Sequence, residues 1–110
     1  MRMHWTVLAV SLSLSGVALA DEAAADVWKA KCKGCHGEDG KAKTKVGAKE
    51  NIADFTSPEW QKNNSDAEIR KVISEGSEKN SKMKAFKDRL TPTEIDALVT
   101  YVRGMNTAKK

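Results

Sequence analysis

Most of the chemistry available to this 110-residue chain sits in five positions, Cys32-Lys33-Gly34-Cys35-His36. Two thiols three positions apart fall on one side of a helical turn, and the imidazole of His36 follows directly. Cys32 and Cys35 are the two cysteines of the chain, and His36 is the only histidine after Ala20. A closed structural zinc site needs four protein ligands, and only three are at hand. A redox pair of the thioredoxin kind belongs in a βαβ setting, yet no strand-like run precedes Cys32. A plain disulfide would leave His36 without a role.

The pattern C-x-x-C-H is the attachment signature of a c-type haem. The two thiols can meet two vinyl groups along one edge of a porphyrin, and His36 then points a ring nitrogen at the iron. One covalent haem is the expected cofactor, bound by Cys32, Cys35 and His36. The sixth ligand must come from Met83, Met105, a lysine or water. Met83 stands between Lys79, Lys82, Lys84 and Lys87, where a soft apolar side chain needs something to cover it. Phe86 nearby can cover the ring, so Met83 is the expected metal ligand opposite His36. Without haem, an apolar cavity should remain, bounded by Cys35, His36, Ile73, Met83 and Phe86. The apoprotein should be largely unfolded, because short helices are marginal alone.

The elements that must hold these residues read as helices. Asp21 to Lys33 is rich in alanine and carries Trp28 on the side of Ala24 and Val27. Glu38 to Asn51 shows no period and reads as a loop bearing Lys41, Lys43, Lys45 and Lys49. Ser57-Pro58 opens a short helix with Pro58 at its first position, and Trp60 is expected to pack on the core or the cofactor. Ser65-Asp66-Ala67-Glu68 is a capping box, followed by Ile69, Val72 and Ile73 on one face and by Gly76 as a stop. Ser77 to Leu90 has no capped periodic run. Thr91-Pro92-Thr93-Glu94 caps the clearest helix, with Ile95, Leu98, Val99 and Val102 in helical register. Met105 to Lys110 reads as a frayed tail. The expected fold is all-α: three principal helices and one short one around a single cofactor.

Residues 1–20 have the features of a secretory leader: Arg2, an apolar stretch from Val7 to Leu19, and Ala18-Leu19-Ala20 as a cleavage site. The stretch is too short and serine-rich for a permanent span, and no cysteine near the cut invites a lipid anchor. A mature domain over residues 21–110 is expected. So small a domain buries a modest core and needs a staple such as a covalent cofactor. The net charge is +4, or +3 without Arg2. That weak surplus suits docking on acidic protein surfaces. Nucleic acid is excluded as a partner, since no aromatic residues interleave with the basic ones.

On these residues the chain resembles the class I c-type cytochromes of the small bacterial monohaem kind, over nearly all of Asp21 to Gly104. The resemblance rests on Trp28 four positions before the C-x-x-C-H run, Ile73 before Gly76, and Met83-Lys84-Ala85-Phe86. It rests also on Leu90-Thr91 followed by Glu94, Ile95, Leu98, Tyr101, Val102 and Arg103. It implies that the first and last helices cross through Ala24, Trp28, Leu98 and Tyr101. Lys84 stands where the family has a proline after the axial methionine. No proline lies between His36 and Pro58, so the carbonyl that orients His36 is sought near Val46 or Gly47.

The resemblance implies a soluble, exported, periplasmic electron carrier, monomeric, with no enzymatic activity. Its partners would be a reductase, an oxidase or a dehydrogenase, with no stable membrane insertion. His and Met fill both axial positions and raise the potential relative to harder donors. The competing class is a haem enzyme or a gas- or peroxide-responsive protein whose Met83 gives way.

Overall fold

The computed structural model describes residues 16–109 together with Met3 and Thr6. The leader expected over Met1 to Ala20 thus falls mostly outside the described residues. Among them there is no strand. The helices are α1 (Gly16–Val27), α2 (Lys33–His36), α3 (Lys45–Lys49), α4 (Pro58–Asn63), α5 (Asp66–Glu75) and α6 (Pro92–Arg103). A π-helical turn, Trp28–Cys32, joins α1 to α2, and a 3₁₀ turn, Thr107–Lys109, closes the chain. No helix among the described residues is long and apolar enough to cross a membrane.

The capped helices lie where local chemistry puts them. The Ser65 hydroxyl accepts the Glu68 N–H while the Glu68 carboxylate accepts the Ser65 N–H. Thr91 and Glu94 do the same for α6, with Pro92 at its first position. Ser57 caps α4 by accepting the Trp60 N–H. The first helix is described from Gly16 rather than Asp21, so it takes in the last five residues of the expected leader. It also extends past Lys33. The Lys33 N–H reaches the Trp28 carbonyl, five residues back, and the wider turn shifts the C-x-x-C-H run by one residue against α1. Gly37 then ends the helix at φ +81°.

Helix α1 packs across α6, and α5 packs on α6 from another side. The crossing is made by Ala24, Trp28 and Leu98, all nearly fully buried. The Trp28 and Tyr101 rings lie 5.4 Å apart between centroids. These are the four residues that the resemblance assigned to it. Ile69, Ile73, Ile95, Val99, Val102 and Phe86 extend the core.

Two expectations give way. The lysine-bearing loop contains helix α3, capped by the Thr44 hydroxyl on the Gly47 N–H. The terminal segment is not frayed: the N–H and hydroxyl of Thr107 both donate to the Thr56 carbonyl at 3.0 Å. Met105 is half-buried, its sulfur against Gly40.

Candidate cofactor site

The C-x-x-C-H run is held by its own backbone. Three successive carbonyls each accept a hydrogen bond from a different part of the chain. Thr44 Oγ1 donates to Cys35 O at 2.7 Å, Ala42 N to His36 O at 2.8 Å, and the Trp28 indole to Gly37 O at 2.9 Å. Thr44 and Ala42 were not singled out in the sequence; a threonine before a short apolar step is a weak cap signal. Ala42 is buried at φ +56°, and α3 presses Gly47 so closely on the Ala42 carbonyl that any side chain there would collide.

Above this run lies a cleft of about 1670 Å³. Cys32, Cys35, His36 and Met83 all line it, although Met83 lies far along the chain. So do Ile73 and Phe86, which completes the set expected to bound the cavity. Val46, Ile52, Phe55, Trp60, Ile69, Val72 and Leu98 line it as well. Val72 is 40 % exposed although it shares the apolar face of α5 with buried Ile69 and Ile73. Its exposed surface belongs to the cleft.

Both cysteines are free thiols. Burial, with Cys35 adding to it, pushes the Cys32 thiol up to about 11. It is a protonated thiol at neutral pH, the opposite of the activated thiolate of a redox C-x-x-C pair. Burial lowers the His36 imidazole below its ordinary value of 6.5. His36 is therefore neutral at pH 7, the form that ligates a metal. Its ring stacks on Phe55 at 4.8 Å, and Trp28 lies 5.8 Å away. Among the described residues no group of three or more His, Cys, Asp or Glu is arranged to hold a bare metal ion.

The orienting carbonyl is not where it was sought. His36 Nδ1 is buried with no hydrogen-bond partner. The Val46 carbonyl accepts the Glu50 N–H and the Gly47 carbonyl accepts the Ile52 N–H. Both oxygens point to the turn that follows α3 and not to the His36 ring.

Met83 sits in a segment moored to the end of α5. Ser77 N donates to Met83 O at 3.2 Å, Phe86 N to Ile73 O at 3.0 Å and Lys87 N to Ser74 O at 3.1 Å. Gly76 makes the approach possible. It adopts φ +83°, and a Cβ there would stand 2.8 Å from the Met83 carbonyl oxygen.

A model of the family described as cytochrome c oxidase, cbb3-type, subunit III matches residues 19–102. The chain belongs to this cytochrome c family. Haem c, covalently bound, is accordingly the cofactor of the domain, and electron transfer through it is the domain's work. The two free thiols, the neutral histidine and the cleft fit that group. The cytochrome domain is 37 % identical over 97 residues to the cbb3-type cytochrome c oxidase subunit FixP of Azorhizobium caulinodans. The match covers 84 % of this chain and 31 % of FixP, so the domain spans about a third of that relative's length. Among solved structures it is similar to the KustC0563 c-type cytochrome: TM-score 0.69, 38 % identity, 76 % of this chain and 98 % of that one. A point variant of the same cytochrome matches with TM-score 0.66 and the same identity and coverage.

Proposed function

We propose that the chain is a soluble, exported one-electron carrier whose single haem is attached through Cys32 and Cys35 and ligated by His36 and Met83. The observation that carries this reading is the convergence of those four side chains on one cleft. When bound, the haem supplies a ferrous–ferric couple. The residues of the chain do the rest. Cys32 and Cys35 tether the group at one edge. His36 arrives neutral, and its backbone is fixed by Ala42 and Trp28. The Met83 thioether is soft and favours the ferrous form. Ile69, Ile73, Phe86, Leu98 and Val102 exclude water around it.

With both axial positions filled, no open site is left for substrate, and the domain is not an enzyme. Residues 1–20 act as a cleaved leader, leaving residues 21–110 as a monomeric periplasmic domain. Its partners are redox proteins with acidic docking faces. Since FixP is named as an oxidase subunit, an oxidase stands first among them. Two measurements on the purified holoprotein test the reading. A redox titration should give a single one-electron wave. Carbon monoxide added to the reduced protein at neutral pH should leave the spectrum unchanged at first, whereas an immediate change would mark an open or displaceable ligand site.

A further inference from the structure

Three ion pairs are seen among the described residues. Arg70–Asp96 joins α5 to α6, and Arg103–Asp66 does the same at the other end of the pair of helices. The third, Lys82–Glu50, is of another kind. It links the turn after α3 to the segment that carries Met83, and both of its residues line the cleft.

Both oxygens of the Glu50 carboxylate are engaged. One accepts from the Lys82 ammonium and the other from Asn80 Nδ2 at 3.1 Å. These two donors are the residues that shape the Met83 turn. Asn80 Oδ1 accepts the Lys82 N–H at 3.0 Å, and the Asn80 carbonyl accepts the Met83 N–H at 3.1 Å. Glu50 itself is well seated. Its N–H donates to Val46 O at 2.8 Å, its neighbour Asn51 turns the chain at φ +52°, and its side chain is only 20 % exposed.

The Met83 segment needs such a hold. The backbone bonds described above moor it to the end of α5, on one side only. The two prolines of the chain are Pro58 and Pro92, so no locked φ stiffens the stretch between them. We infer that Glu50 is a positioning residue: its carboxylate clamps the Met83 turn to the turn after α3 and so sets how readily an outside ligand displaces Met83. The inference rests on Met83 being the sixth ligand, as proposed above.

The test is an imidazole titration of the ferric holoprotein, followed by the far-red charge-transfer band of methionine ligation. Removing one charged pair should tighten imidazole binding by roughly two- to fivefold in Glu50→Ala. Lys82→Ala, which opens the clamp from the other side, should act in the same direction. Arg70→Ala breaks a more exposed pair away from the cleft, so it should bind imidazole as the wild type does even if it melts lower. Unchanged imidazole affinity in Glu50→Ala and Lys82→Ala would overturn the clamp. Equal tightening in Arg70→Ala would do so too, because general loosening would then suffice. Met83→Ala separates the two ideas. If it keeps the far-red band, the ligand assignment fails and the clamp with it.

Discussion

Replacing Gly76 by alanine is expected to dislodge Met83 while leaving Cys32, Cys35, His36 and Met83 themselves unchanged. Gly76 sits at φ +83° and ψ 172°, a region open essentially to glycine alone that costs another residue on the order of 1–3 kcal/mol. The new methyl would also stand 2.8 Å from the Met83 carbonyl oxygen, 3.3 Å from the Ala85 nitrogen and 3.4 Å from the Lys84 carbonyl carbon. All three are backbone atoms, so no side chain can swing aside, and the whole segment must retreat. Overpacking of this kind costs about 1–3 kcal/mol. Together the two effects correspond to a fall in melting temperature on the order of 10 °C or more for a domain of this size. The far-red band of the ferric holoprotein should weaken in parallel, because the retreat draws Met83 away from the cleft. Gly34→Ala is the control. A Cβ at Gly34 meets nothing within 4 Å, and alanine gains about 0.5–1 kcal/mol over glycine in a helix. That variant should melt at or above the wild type. A Gly76→Ala protein with unchanged melting temperature and an undiminished band would refute the reasoning.

Three further outcomes are expected. Arg103→Ala should lose about 2–3 kcal/mol in urea unfolding, since its guanidinium donates to the backbone and side-chain oxygens of buried Gln61 and to Asn64 O. Arg103→Lys should recover only part of this, because an ammonium cannot reproduce the fork. The backbone and hydroxyl of Ser65 hold the Glu68 carboxyl below its ordinary value of 4.5. A group depressed on folding stabilises above its unfolded value and loses that contribution as the pH falls through the folded one. Glu68→Ala should therefore melt below the wild type at neutral pH, with the gap narrowing in acid; a gap that widens would reverse the assigned sign. The double variant Cys32→Ala, Cys35→Ala should release its haem to acid-acetone extraction and show weakened helical circular dichroism once stripped. Sharp, near-native unfolding of the stripped protein would contradict a fold that needs its cofactor as a staple.

The parts of the fold legible in the sequence are those fixed by residues a few positions apart. Ser65 with Glu68 and Thr91 with Glu94 locate two helices because each box closes within one turn. The C-x-x-C-H run is equally local. Met83 could be singled out because an apolar side chain among lysines needs a cover that the sequence alone does not supply. The illegible parts depend on distant contacts. Helix α3 has a glycine at its centre and only five residues, and it exists because that glycine can lie on Ala42. The closing turn is held by Thr56 and Gly40, more than fifty positions upstream. Glu50 looked like one acid in a lysine-bearing loop, and its partners Asn80 and Lys82 lie 30 and 32 positions away. No carbonyl of Val46 or Gly47 reaches His36 Nδ1 for the same reason: these oxygens accept from Glu50 and Ile52 in the turn after α3.

The most direct measurement is the far-red spectrum of the ferric holoprotein in two single variants. Met83 lines the cleft with Cys32, Cys35 and His36, whereas the Met105 sulfur packs on Gly40. Met83→Ala should abolish the charge-transfer band, lower the reduction potential and admit carbon monoxide to the reduced iron. Met105→Leu should keep the band and the potential. A band that survives in Met83→Ala and vanishes in Met105→Leu would contradict both the ligand assignment and the packing of the last helix on which it rests.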